Sequence, residues 1–309
     1  MVRSRVRGRP SSVASLLVGA VLLGVVAGCG GAPPEPPPAP ARVTPEAYQQ
    51  LLNTTNASLA GSWRSVASAG PYDAVGGTVA TAGVSTGRAA DQLAAINPPA
   101  GLDEPHAALL AGLRQLADDM SGVSGRVRTF ELCATPSVMS TLSAGPGADR
   151  MREAAVKLRA AGIQWADFTG DKIPMPETRL DNGAIVNGAG RGGLGRLAIT
   201  NGNATDAVLT LAQNGAPVVS IYIQQGAKAE LAQISDGSYQ VFYTLGVDWS
   251  GADRLFTRAC RFSQFDQALA FTTTEQPDGT HYTAYDVTLQ PVAGGKARTS
   301  PVDARSFPR

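Results

Sequence analysis

The chain changes character across residues 169–193, TGDKIPMPETRLDNGAIVNGAGRGG. Before this stretch apolar residues recur every three or four positions, as in amphipathic helices, and after it they alternate, as in strands. The stretch is rich in glycine, proline and asparagine, which favour loops. We therefore predict an α+β chain, with an antiparallel helical bundle at residues 45–165, a linker at 166–193, a β-sandwich at 194–292 and a tail at 293–309.

Four amphipathic segments carry the helical prediction. Thr44 and Pro45 suit the N-cap and first turn of the first helix. Asn97-Pro98-Pro99 ends the second helix, Asp103 can cap the third, and a shorter fourth stops at Gly162. Short connections between such helices favour antiparallel neighbours.

Five short alternating runs carry the β prediction. They lie at residues 197–199, 207–211, 218–223, 239–243 and 282–289. Asn-Gly and Asp-Gly pairs, which suit tight hairpin turns, separate several of them. Short strands at this spacing predict a β-sandwich.

The N-terminal end has the pattern of a secretory signal. Four arginines precede an apolar run at residues 13–26, which is too short to cross a bilayer comfortably. The run ends at Val26-Ala27-Gly28-Cys29, where small residues precede the cysteine. This box resembles the lipobox of bacterial lipoproteins. The resemblance implies a signal peptide at residues 1–28, cleavage before Cys29, and transfer of a diacylglycerol to the Cys29 sulfur.

That resemblance places the protein on the extracytoplasmic face of the cell membrane, with membrane lipid as its partner through acylated Cys29. The alternative is an uncleaved membrane helix in which Cys29 is incidental. Residues 29–44 contain six prolines, which favour an extended polyproline stalk with about 3.1 Å of rise per residue. The mature chain also resembles lipoproteins of high-GC bacteria, a resemblance that implies no particular activity.

The net charge argues against nucleic-acid binding, and the cysteine content leaves open whether a disulfide forms. Without its four leader arginines the chain has 22 basic and 25 acidic residues, a net charge of −3 and no basic patch for nucleic acid. Thiols outside the cytoplasmic membrane tend to be oxidised, so Cys133 and Cys260 are a possible disulfide. The alternative is a pair of buried free thiols.

One spacing in the β half resembles a known family. The pattern G-x4-L-x2-I-x2-G-x-Y-x-V is formed by Gly226, Leu231, Ile234, Gly237, Tyr239 and Val241. It is similar to the strand–turn–strand of transthyretin-like and carboxypeptidase-regulatory-like sandwiches. The resemblance implies that the Tyr239 hydroxyl bonds to backbone upstream of its own strand.

The strongest local cluster of polar residues is a possible ligand loop, formed by Asp248, Trp249, Asp253 and Arg254. Carboxylates could hold calcium and an indole could stack on a sugar, while the alternative is an ordinary loop with a packed tryptophan. No zinc spacing or EF-hand pattern is present in the sequence, and we predict no metal and no cofactor.

These observations favour a non-enzymatic lipoprotein that binds or scaffolds at the cell envelope, with an envelope protein or a glycan as its partner and no nucleic acid. The alternative is an envelope hydrolase, or a hydrolase accessory module, that uses acidic residues of the β half. A pair of carboxylates converging in one deep pocket would favour this alternative.

Overall fold

The computed structural model describes residues 41–189, 191–290 and 298–309. The predicted signal peptide, Cys29 and most of the proline-rich segment lie outside the described residues. The content of 38% helix and 31% strand confirms the α+β class. Within the described ranges, no helix combines the length and apolar character that a membrane span requires.

The helical part comprises five helices in the described residues. They are α1 (Pro45–Ala67), α2 (Asp73–Ala94), α3 (Asp103–Arg128), α4 (Thr135–Ser143) and α5 (Pro146–Ala160). Thr44 caps α1, as predicted, because its hydroxyl accepts a hydrogen bond of 3.2 Å from the Ala47 N–H. α4 was not predicted, because its many serines and threonines obscure the helical period.

Apolar residues from all five helices form one continuous core. Leu113 and Leu116 of α3 are fully buried in it, and burying a leucine contributes roughly 1.5–3 kcal/mol. Gly147 sets the approach of α5 to α3, because a Cβ at this position would lie 2.4 Å from the Leu116 Cα. Glycine is therefore required at this crossing.

The β part comprises twelve strands in the described residues. They are β1 (Ile185–Asn187), β2 (Arg191–Thr200), β3 (Asp206–Gln213), β4 (Ala216–Ile223), β5 (Lys228–Ile234), β6 (Gly237–Ser250), β7 (Leu255–Phe265), β8 (Leu269–Phe271), β9 (Thr273–Gln276), β10 (Gly279–Tyr282), β11 (Ala284–Thr288) and β12 (Thr299–Pro301). The large sheet has the order β1-β4-β3-β6-β7-β12, with β8 also paired to β6.

Two smaller sheets complete the β part. One has the order β11-β2-β5 and the other pairs β10 with β9. The β11–β2 pair is parallel and the other pairs are antiparallel. Apolar residues of the large sheet and of β11-β2-β5 share one core, which includes Leu197, Leu209 and Leu231. The Tyr239 hydroxyl donates a hydrogen bond of 2.9 Å to the Ser235 carbonyl, as the family resemblance implied.

Several strands differ from the sequence prediction: β8 and β9 lie outside the five predicted runs, and the run at 282–289 is divided between β10 and β11. β1 lies inside the predicted linker and pairs with β4, and β12 lies inside the predicted tail and pairs with β7. β7 itself was missed, since Arg258 and Arg261 interrupt its apolar pattern. Pairing with distant strands determines that these segments become strands, because strand formation depends strongly on tertiary context.

The helical and β parts meet along a short backbone ladder. The Cys133 N–H donates to the Thr257 carbonyl (2.7 Å), and the Cys260 N–H donates to the Phe130 carbonyl (2.9 Å). Cys133 and Cys260 are joined by a disulfide at this ladder. An aromatic-rich core, which we call the junction cluster, surrounds it and includes Tyr72, Cys133, Tyr222, Phe242, Trp249, Phe256, Cys260, Phe262 and Phe307.

Candidate functional site

The β part has one cavity that contains two of its buried aspartates, and we call it the acidic pocket. It has a volume of about 400 Å³, and its wall includes Glu177, Arg179, Asp206, Asp248 and Arg258. Asp206 begins β3 and Asp248 lies near the end of β6. The site therefore bears directly on the hypothesis of a hydrolase.

Asp206 accepts four hydrogen bonds. The Arg179 guanidinium donates two of them, from Nε and Nη2, at 2.7 Å each. The Tyr222 hydroxyl donates at 2.5 Å, and the Gln225 backbone N–H donates at 2.7 Å. A carboxylate has about four lone-pair sites, so all of those on Asp206 are filled.

This environment holds Asp206 in its ionised form. Burial raises the pKa of Asp206, but hydrogen bonds from Arg179, Tyr222 and Gln225 lower it by more, and the net pKa lies below the usual value. The pKa of Tyr222 is raised, first by burial and then by its bond to Asp206. Tyr222 therefore stays a proton donor in this bond, and Asp206 has no proton to give at neutral pH.

Both carboxylate oxygens of Asp248 also accept hydrogen bonds. Its Oδ1 accepts a hydrogen bond of 2.7 Å from the Thr178 N–H, and its Oδ2 accepts one from the Thr257 hydroxyl. Asp248 has a φ of 62°, in the left-handed region, and follows directly after the register shift of the β6–β7 pairing between Leu245 and Val247. This conformation is uncommon for a residue other than glycine.

The two aspartates fasten one segment, residues 176–182, which we call the strap. Arg179 binds Asp206, Thr178 binds Asp248, and the Pro176 carbonyl accepts a bond of 3.0 Å from Arg258 Nη2. At its far end the Asn182 side chain donates to the Lys228 carbonyl at 2.8 Å. These hydrogen bonds attach the strap to the sheet.

Two further observations concern catalysis and metal binding in the pocket. Arg258 Nε is buried and has no hydrogen-bond partner in the part of the chain that the structure describes. Throughout that same part, no three His, Cys, Asp or Glu side chains are grouped so that they could hold a metal ion. The acidic pocket thus contains two arginines, Arg179 and Arg258, and two carboxylates whose oxygens already accept hydrogen bonds, Asp206 and Asp248, while the wall residue Glu177 forms no hydrogen bond or ion pair among the described residues.

The structure places the four residues of the predicted ligand loop in different surroundings. Asp248 and Trp249 are strand residues of β6, whereas Asp253 and Arg254 lie in the following turn. Asp248 lines the acidic pocket, and Asp253 accepts a bond of 2.8 Å from the Ser250 hydroxyl. The two carboxylates therefore bond to different partners, and the predicted loop is shorter than expected.

Trp249 is packed in the junction cluster. Its side chain is 5% exposed, and its ring centroid lies 5.1 Å from that of Phe256 and 6.2 Å from that of Tyr222. An aromatic ring enclosed in this way is not open for stacking on a sugar.

Sequence reasoning missed Arg179 and Asp206. Arg179 lay in the predicted linker, where nothing distinguished it from other polar residues. Asp206 carried a weak signal, since it is the single charged residue at the start of an apolar strand. Comparisons of the chain with protein families, curated proteins and solved structures find no match.

Proposed function

We propose that the protein is a membrane-anchored, extracytoplasmic lipoprotein that binds or scaffolds at the cell envelope. The anchor is acylated Cys29, for which the support is the complete signal pattern that ends in Val26-Ala27-Gly28-Cys29. The partner is an envelope protein or a glycan. A net charge of −3 for the mature chain gives nucleic acid no electrostatic attraction.

One observation carries the preference for binding over catalysis. The four acceptor positions of Asp206 are filled by Arg179, Tyr222 and Gln225. A general acid or base needs a position within reach of its substrate, and Asp206 would have to release the strap to provide one. We therefore propose a non-enzymatic protein that needs no cofactor.

The proposal includes the finer architecture, an antiparallel helical bundle followed by a β-sandwich. The shared core of the five helices supports the first element. The core common to the large sheet and β11-β2-β5 supports the second.

The anchor is tested by intact-mass measurement of protein extracted from membranes. The wild type is expected to begin at Cys29 and to carry a diacylglycerol, whereas Cys29→Ala is expected to stay unprocessed and without lipid. A mature wild-type protein with an unmodified Cys29 would contradict the proposal.

The binding role is tested by capture from detergent-solubilised envelope. Lipidated wild-type protein should retain a defined envelope component, and unfolded protein of the same sequence should not. Recovery of nothing above that control would count against a binding role, even where Cys29 is lipidated.

One observation favours the alternative, a hydrolase or hydrolase accessory module. Asp206 and Asp248 line the same cavity. Purified protein would then hydrolyse envelope glycan, and Asp248→Asn would abolish the hydrolysis without unfolding the chain. Equal rates with and without the wild-type protein would remove this alternative.

A further inference from the structure

A second cavity lies in the helical part, between α1 and the chain that follows α5, and we call it the amide groove. Its volume is about 550 Å³, and its wall includes Asn53, Asn56, Arg159, Gln164 and Trp165. Cavities of roughly 300–1,000 Å³ suit small ligands. The groove is separate from the acidic pocket and has no part in fastening the strap.

Hydrogen bonds hold both walls of the groove in place. The Gln49 side chain donates to the Gln164 carbonyl at 2.8 Å and accepts from the Gln164 N–H at 2.9 Å. Two helical turns further on, the Asn56 amide donates to the Ala166 carbonyl at 2.5 Å. The groove is therefore formed before any ligand arrives, which reduces the entropy lost on binding.

Several polar groups in the wall are left over after these bonds are made. The Asn53 amide nitrogen, the Asn56 amide oxygen and the Gln164 side chain have no hydrogen-bond partner among the described residues. An amide side chain offers donors and an acceptor together. Such groups match hydroxyls, which also donate and accept.

Charge in the wall has one sign. Arg159 is exposed and forms no ion pair within residues 41–189, 191–290 and 298–309. The described wall of the groove contains no aspartate or glutamate. A guanidinium binds carboxylates through charge-assisted hydrogen bonds, so the groove favours a ligand with an anionic group.

A buried donor gives independent support. Trp165 is 3% exposed, and its indole Nε1 has no hydrogen-bond partner in the described part of the chain. A buried N–H without a partner is costly and uncommon. Trp165 also lines the groove, and because its Nε1 atom is fully buried, the N–H would reach an acceptor on a bound ligand through a small movement of the indole.

We propose that the amide groove binds an acidic saccharide. Sugar hydroxyls would bond to Asn53, Asn56 and Gln164, the sugar carboxylate would pair with Arg159, and a sugar oxygen would accept from Trp165. A saccharide fits better than a simple anion, because three amides and an indole accompany one cation. This inference rests on the proposed binding role and assigns it a ligand class.

The test is a titration of the full chain with sodium D-glucuronate, up to about 10 mM, followed by calorimetry and tryptophan fluorescence. D-glucose is the matched neutral probe, and acetate is the carboxylate without a sugar. Glucuronate should bind at least about tenfold more tightly than glucose, given the strength of a charged hydrogen bond. Acetate should not bind measurably.

Variants locate the site. Arg159→Gln should weaken glucuronate binding about tenfold and remove the preference over glucose. Arg114→Gln is the matched control, because Arg114 is also exposed on a helix but lies outside the groove. Trp165→Phe should weaken binding by a factor of about three to ten, through loss of the N–H alone. Exposed Asn53→Ala provides a second test, should Trp165→Phe lower the thermal stability.

Three results would each overturn the inference. They are no glucuronate binding, equal affinity for glucuronate and glucose, and equal loss of affinity in Arg159→Gln and Arg114→Gln. The titration does not depend on the anchor. A chain that is lipidated at Cys29 but binds no saccharide overturns this inference alone, whereas one that binds without lipidation overturns the anchor alone.

Discussion

The helical and β parts of this protein bury polar side chains in different ways. In the helical part the main buried side-chain pair is neutral, with the Tyr48 hydroxyl 2.8 Å from His106 Nδ1. In the β part the carboxylate of Asp206 is buried beside Arg179. A buried charge is costly unless it is paired and hydrogen-bonded, so the β part depends more heavily on its polar side-chain contacts than the helical part does.

The same contrast appears in how each part is held together. The helices share an apolar core that their own sequence periodicity describes. The large sheet additionally needs the strap, which reaches it from residues that precede its first strand. The β part is therefore the one more easily destabilised by a single polar change.

The largest effect is expected at the junction of the two parts. Changing Cys133 and Cys260 together to serine should lower the free energy of unfolding by about 4 kcal/mol, since the bond closes a long loop in the unfolded chain. Urea denaturation of oxidised, reduced and variant protein measures this. Two separate transitions in the oxidised chain would show that the parts unfold independently.

The next effect concerns the ion pair between buried Asp206 and Arg179, whose side chains are 9% and 49% exposed. Asp206→Ala should cost about 3 kcal/mol, because it leaves the Tyr222 hydroxyl and the Arg179 guanidinium without their acceptor. The matched control is the exposed pair of Arg196 and Glu230, whose side chains are 52% and 50% exposed. Arg196→Gln should cost about 0–1 kcal/mol. Equal costs in thermal denaturation would contradict the contrast drawn above.

A smaller effect is expected at the turn between β5 and β6. Tyr239→Phe removes the hydrogen bond to the Ser235 carbonyl and keeps the ring packed at 5.9 Å from Phe271. The expected loss is about 1 kcal/mol, the usual net value of one hydrogen bond. Tyr282→Phe, at an exposed tyrosine, is the control and should leave the urea midpoint unchanged.

The smallest effect is a pH dependence that arises in the helical part. Burial lowers the pKa of His106, which outweighs the raising effects of a hydrogen bond with Leu93 and of the Asp103 charge. The neutral form is thus favoured in the folded state. Its contribution is present above the unfolded pKa of about 6.5 and is lost as pH falls through the lower folded pKa.

This prediction is checked by urea denaturation between about pH 7.5 and pH 5. Wild-type stability should decline over this range, and the decline should be reduced in His106→Gln. It should persist in His281→Gln, because His281 is exposed beside Asp278. If His106→Gln leaves the decline in stability unchanged, the decline arises from other titratable groups.

The local features of the fold were predictable from the sequence. Thr44, Pro45 and the apolar spacing of α1 lie within a few positions of one another, and helix formation depends on neighbours three and four residues apart. The change of period across residues 169–193 likewise separated helices from strands correctly. Tyr239 was predictable through a family resemblance. These signals are short-range, so the sequence alone determined the α+β class.

Tertiary structure decided the sites. Arg179 and Tyr222 reach Asp206 from 27 and 16 positions away, and Gln49 reaches Gln164 across 115 positions. Cysteines 127 positions apart form the disulfide. The packing of the chain decides which polar side chains come into contact. The energy of a buried polar group depends on partners that the local sequence does not specify. The sequence determined four of the five helices, the α+β class and the lipobox pattern, and only folding brought the side chains of each pocket together.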